Sequence, residues 1–249
     1  MISDIWTVLR KELKEILGQR TTGRAGSRGG WLNLLVIVGV FGVFMPLQFG
    51  REWATSPMLL LAWAWVPLFL VSSVTADAFA GERERHTLET LLASRLSDRA
   101  ILLGKVGGAM AYGWGLTLAA LLLGLVTINV AYGREGLLLY PIDIAAAGLA
   151  LSFLGSGLSA TVGVLISLRA SSARQAAQTM GLAIMALVLL PTLGLQALPA
   201  AWKASAAQML LGASVNQLAL GAVVILLILD GLFLAAALLR FQRAKLILD

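Results

Sequence analysis

Six runs of apolar residues, each close to the length of helix that crosses a bilayer, set the terms for this chain. They are Trp31 to Phe49, Met58 to Ala76 with its helix running on to Phe79, Val106 to Val130, Ile144 to Leu168, Met180 to Leu198 and Val215 to Leu239. A hydrocarbon core about 30 Å thick takes roughly 20 residues of helix. The runs are continuous and rich in Leu, Ala, Val and Gly, whereas a barrel needs short alternating strands. With 59% apolar residues and a mean hydropathy of +0.86, the expected fold is an all-α integral membrane protein. Its six transmembrane helices form a single domain over residues 1–249.

Lysine and arginine placement orients such a bundle. With the amino terminus on the cytoplasmic side, only Arg51, Arg134 and Lys203 of the chain's 19 basic residues fall on outer segments. Both termini are therefore expected in the cytoplasm, and the protein is expected to be multi-pass in the cytoplasmic (inner) membrane. The net charge of +6 gathers at membrane edges, which points to membrane lipids as partners and away from nucleic acid. The chain has no cysteine, which removes disulfides, thiolate metal sites and cysteine nucleophiles together. The first thirty residues are too polar, and the first apolar run too long, for a cleaved signal peptide, so the first span is expected to serve as an uncleaved anchor.

Ahead of that span, Asp4 to Gln19 reads as an amphipathic helix. Ile5, Trp6, Leu9, Leu13, Ile16 and Leu17 fall within an arc of about 120°, and Arg10, Lys11 and Lys14 project elsewhere. Such a helix lies in the membrane interface or packs on a partner; periodicity alone does not separate the two. Thr21 to Gly30 has the Gly, Ser and Arg content of a flexible connector. On the outer side, Gly50 to Pro57 and Ala131 to Pro141 are short. Pro199 to Ser214 is semi-apolar, with Trp202 beside Lys203, and suits either a re-entrant helix between spans five and six or a surface loop.

Between the second and third spans, Ala80 to Lys105 carries the densest charge in the chain and its only histidine, His86. Leu88, Leu91, Leu92 and Leu96 recur at helical spacing, with Thr87 as a candidate cap and Glu89 in the first turn. A short cytoplasmic helix is expected there, and Ser97 with Asp98 is expected to open the third span. A leucine stripe edged by Glu82, Arg83, Glu84, Arg85 and Arg99 fits docking into another protein's groove. It fits equally well packing on the chain's own helix ends.

Within the bilayer, Asp230 stands about ten residues, roughly 15 Å of helix, from Arg240. A mid-membrane carboxylate costs about 2.5 to 3.5 kcal/mol and is expected to face protein. It binds a cation or proton, or is hydrogen-bonded between helices. Asp77 reads as a helix-end residue near the charged loop. Trp63 and Trp114 lie inside spans, where they line a path for cargo or pack in the core.

The run Gly81-Glu82-Arg83-Glu84-Arg85-His86-Thr87-Leu88-Glu89-Thr90-Leu91-Leu92, followed by Leu96-Ser97 and Ile101-Leu102-Leu103-Gly104-Lys105, resembles the signature of ABC type 2 transporter permeases. Arg10-Lys11-Glu12-Leu13 is similar to the interfacial helix at the start of that family. His86 stands where the family often has Gly, and Arg95 where it often has Pro. The resemblance implies a permease of an ATP-driven exporter: six spans, an interfacial helix, a coupling helix between spans two and three, and an outer re-entrant segment. It implies two permease copies, as a homodimer or with a paired homologue, and two separate ATPase subunits. The coupling residues it implies are Glu82, Arg83, Glu84, Arg85, Thr87, Leu88, Glu89, Leu91, Leu92 and Leu96.

ATP and Mg are then expected in the partner. Gly104-Lys105 lacks the preceding P-loop glycine and is followed by Val106 rather than Ser or Thr, so this chain has no phosphate cradle. No catalytic residue or metal site is expected in it. Two alternatives remain: an ion-coupled secondary transporter using Asp230, and a permease-like scaffold that matures another protein. The cargo is not readable from these residues.

Overall fold

The computed structural model describes residues 2–21 and 27–241, all-helical and without strands. The helices are α1 (Ile2–Thr21), α2 (Ser27–Gly39), α3 (Met45–Phe49), α4 (Glu52–Thr55), α5 (Met58–Thr75), α6 (Ala80–Glu84), α7 (Leu88–Leu92), α8 (Asp98–Tyr132), α9 (Ile142–Arg169), α10 (Ala173–Ala197), α11 (Ala200–Gly212) and α12 (Val215–Arg240). Among the described residues, five helical stretches are long and apolar enough to cross a membrane: Ala62–Glu84, Asp98–Tyr132, Ile142–Arg169, Ala173–Ala197 and Val215–Arg240. This is a multi-pass membrane architecture.

The first apolar run departs from a plain span. A π-helical stretch, Val40–Phe44, interrupts it between α2 and α3, and its apolar part, Leu34–Phe49, is shorter than the other five. Gly42 in that stretch is buried, leaving its carbonyl open to the Thr127 hydroxyl of α8, which donates to it at 2.7 Å. An extra residue in a turn frees a carbonyl in this way. Of the expected connector, residues 22–26 lie outside the described residues, while Ser27 to Gly30 are already helical.

α9 is the hub, packing against α5, α8, α10 and α12. Its sequence explains the position, because small residues let neighbouring backbones approach. Gly148 lies under the Trp63 ring, Gly155 against the Ala64 carbonyl, Gly157 against Asp230 and Gly163 against Thr75. The Ser159 hydroxyl donates to the Leu68 carbonyl of α5 at 3.1 Å. The same logic holds α8 to α5 at Gly113, where an added Cβ would sit 2.1 Å from Val71 Cγ2. Val71 is fully buried and stiff at χ1. Gly113→Ala is therefore expected to cost about 1 to 3 kcal/mol by overpacking, read as a lower melting temperature in detergent. Val71→Ala in the same chain is expected to restore most of it.

α8 opens as the sequence predicts. The Ser97 hydroxyl accepts from the Ala100 N–H at 3.3 Å, with Asp98 in the first turn. At 35 residues it is about 50 Å long, so it overruns the bilayer. On the side away from α6 and α7, Asn129 clamps the return loop: its amide donates to the Leu138 carbonyl and accepts from the Leu138 N–H, both at 2.8 Å. The segment after α10 forms the helix α11, and Ser214 with Gln217 makes a capping box at the start of α12.

α1 packs against α8 through a strip that includes Val8, which lies outside the expected apolar arc. Val8 is buried against Gly104, and Leu9 sits at Gly107. Ile2, Trp6 and Leu17, on the adjoining strip, stay exposed. The helix thus rests on the bundle with one strip and leaves the other exposed, while Arg10 lies over the Trp6 ring at 5.0 Å.

Candidate functional site

The helix is broken between α5 and α6, which leaves backbone groups without helical partners. Ser167, near the end of α9, supplies them. Its buried hydroxyl accepts from the N–H groups of Phe79 (3.0 Å) and Ala80 (2.9 Å) and donates to the Ala76 carbonyl (3.0 Å). A hydroxyl has one donor and two acceptor sites, so Ser167 is fully used.

The four charged residues of the following turn are each held inside the chain. Glu82 Oε1 lies 2.9 Å from Lys105 Nζ in α8, and Lys105 lies 2.8 Å from Glu12 Oε1 in α1. The Lys105 and Glu82 side chains are 1% and 6% exposed, so this is a buried triad of one ammonium and two carboxylates. Such a group is held by good geometry against a large desolvation cost. Among the described residues Glu82 Oε2 has no hydrogen-bond partner. The Arg83 guanidinium donates to the carbonyls of Ala170 and of Leu168 (3.2 Å), capping the end of α9. Glu84 accepts from the Ala173 N–H at 3.1 Å, where the first turn of α10 favours a carboxylate. Arg85 pairs with Asp77 at 2.9 Å. Gly81 is required by this pairing, since a Cβ there would lie 1.9 Å from Asp77 Oδ1.

The next turn depends on His86, which adopts φ 55. That left-handed region favours glycine and costs most other residues about 1 to 2 kcal/mol. Thr87 does not cap α7: its hydroxyl donates back to the Glu82 carbonyl at 3.3 Å, because the turn carries it toward α6. The expected helix from Thr87 to Leu96 is reduced to Leu88–Leu92.

Of the two readings of the leucine stripe, the described leucines Leu88, Leu91 and Leu96 follow the second, packing on the chain's own helix ends. Leu88 is buried, and Leu91 and Leu96 pack on a cluster of Phe79, Ile101, Leu102 and Phe241. Burying this apolar surface on the chain's own helix ends is the more favourable placement for a single chain. The Leu92 side chain lies outside the described residues. The exposed face consists of His86, Thr87, Glu89, Thr90, Ala93 and Arg95. Between it and α1 runs a cleft of about 420 Å³ lined by Lys11, Glu15, Arg85, Thr90 and Ser94.

The intramembrane candidates are separate from this site. Trp63 is buried edge-on to Tyr140, with ring centroids 5.7 Å apart, and Trp114 is edge-on to Phe153 at 5.3 Å. Trp63 therefore packs in the core, whereas Trp114 is only partly buried and its partner Phe153 is exposed. Asp230 rests on Gly157, with Oδ2 3.0 Å from where a Cβ would stand, and its Oδ1 is buried without a hydrogen-bond partner among the described residues.

Two participants, Glu12 and Ser167, are not legible as such from sequence. Glu12 reads as one more polar residue of an amphipathic helix, and Ser167 as a small residue in a span. Their partners lie 93 and about 88 residues away.

The family model described as ABC-2 type transporter matches residues 3–204, which takes in α1, the loop and α9. No curated protein matches the chain.

Proposed function

We propose that this chain, which belongs to the ABC-2 type transporter family, is the membrane-spanning subunit of an ATP-driven exporter powered by a separate ATPase subunit. The chain itself hydrolyses nothing; ATP and Mg belong to the partner. Six spans, with Leu34–Phe49 completing the first, keep both termini in the cytoplasm of the inner membrane. α11 is the re-entrant segment on the outer side. Two copies form the working unit, as the family likeness implies.

The observation that carries the proposal is how the α6–α7 loop is anchored. Through Glu82, Arg83, Glu84 and Arg85 it is tied at once to α8 with α1, to α9, to α10 and to the end of α5. A load applied at α7 reaches the base of most of the bundle. Reversing a two-state equilibrium almost fully takes about 5.5 kcal/mol of differential interaction, beyond isolated surface ion pairs worth about 0 to 1 kcal/mol each. A buried triad and a leucine root suit that load. Nucleotide-driven closure of the ATPases would draw the docked loops together and switch the bundle between inward and outward openings.

The ion-coupled reading keeps one supporting observation, the Asp230 Oδ1 without a hydrogen-bond partner among the described residues. Asp230→Asn separates the two. In proteoliposomes containing the chain with its copurified ATPase, the variant is expected to keep ATP-driven transport within about two-fold of the parent, since the amide preserves shape and removes a charge that costs energy in the bilayer. Transport by the chain alone, driven by an ion gradient, indifferent to nucleotide and lost in Asp230→Asn, would overturn the exporter reading.

A further inference from the structure

On the same side of the bundle as the α6–α7 loop, a groove of about 410 Å³ opens between α9, α10 and α12. Arg169 and Arg240, the last residues of α9 and α12, stand at its mouth with Gln175 and Thr179 of α10. Both arginines are exposed, and among the described residues neither has a hydrogen-bond or ion-pair partner. Glu84, the carboxylate that reaches this region, is occupied by the Ala173 N–H. Below the mouth the walls turn apolar. Val162 and Phe233 each lie seven residues before an arginine, roughly 10 Å deeper along their helices.

Two cations at headgroup level above an apolar slot make an amphipathic site. We propose that this groove binds an anionic phospholipid of the adjacent leaflet, its phosphate held by Arg169 and Arg240 and an acyl chain lying along Val162, Ile166 and Phe233. Guanidinium groups suit phosphate geometry, and basic pockets between membrane helices attract anionic headgroups. A second protein copy is disfavoured by charge, because an identical face would bring arginine against arginine. Free phosphate would leave the apolar walls uncovered. A bound lipid also bridges α10 to α12, which share little direct contact.

The test is native mass spectrometry of the delipidated full chain titrated with dioleoyl phosphatidylglycerol, dioleoyl phosphatidylcholine or inorganic phosphate. Saturable binding of phosphatidylglycerol, well above phosphatidylcholine, is expected. Arg169→Gln with Arg240→Gln should weaken it about thirty-fold, the combined loss of two cation–headgroup contacts. Ala236→Trp, which fills the slot and keeps both arginines, should weaken it as well, and Arg51→Gln with Arg134→Gln at the opposite end should not. Equal binding of the two lipids, inorganic phosphate displacing phosphatidylglycerol at matched concentration, or retention by both groove variants would overturn the assignment. Where the double glutamine variant does not fold, Ala236→Trp carries the test: retained phosphatidylglycerol affinity in that folded variant overturns the assignment, and so does a parent without preference between the two lipids.

Discussion

Lys105→Met is expected to be among the most damaging single substitutions in the chain. The lysine ammonium lies 2.8 Å from Glu12 and 2.9 Å from Glu82, and its removal leaves two carboxylates facing one another out of water. Breaking a buried pair by deleting one partner costs about 3 to 5 kcal/mol, because the remaining charge is uncompensated. That is a large share of the stability of a typical domain. The expected result is a steep drop in melting temperature and yield of the detergent-purified protein. Neutralising all three positions, as Glu12→Gln, Glu82→Gln and Lys105→Met together, removes the uncompensated charge and is expected to recover most of the loss. A Lys105→Met protein that melts with the parent would mean the triad carries no stability, and with it would go the rigid link between α1, the loop and α8.

The contrast between what the sequence discloses and what it conceals follows from the reach of each interaction. Five of the spans are legible because crossing a bilayer demands a fixed length of apolar helix, and the start of α8 is legible because Ser97 caps it three residues away. The orientation of the Gly81 to Leu92 run is not legible. Leucines at helical spacing announce an apolar face without saying what covers it, and here Phe79, Ile101 and Phe241 do so. Charged residues that read as a docking rim are consumed by partners across the fold, such as Arg83 by the end of α9. The π-helical stretch at Val40 has no signal in the apolar pattern, since a one-residue insertion leaves composition unchanged. The substitution of histidine where the resembled family often has glycine acquires a physical meaning only from its backbone, held at φ 55.

On the proposed function, with Leu88, Leu91 and Leu96 packed on the bundle, the contact with an ATPase subunit would fall to the exposed side of α7, and Thr90 is the most direct probe. It is exposed, lines the cleft between α7 and α1, and among the described residues its side chain has no hydrogen-bond partner. The chain has no cysteine, so Thr90→Cys introduces a single thiol for a bulky maleimide. Before labelling, the variant is expected to melt and to support ATP-driven transport like the parent. After labelling, melting should be unchanged while the complex with the ATPase weakens. Interface positions that matter typically carry about 2 kcal/mol or more, or roughly thirty-fold in affinity, and a group wedged into the cleft should reach at least that. Arg134→Cys, on the far side of the bundle, should accept the same label without effect. Leu88→Asp should behave differently from both, lowering stability along with transport, because it places a carboxylate among Phe79, Ile101 and Leu102. Full ATPase stimulation by a completely labelled Thr90→Cys protein would remove α7 from the interface and send the search for the transmitting surface to the other loops on that side.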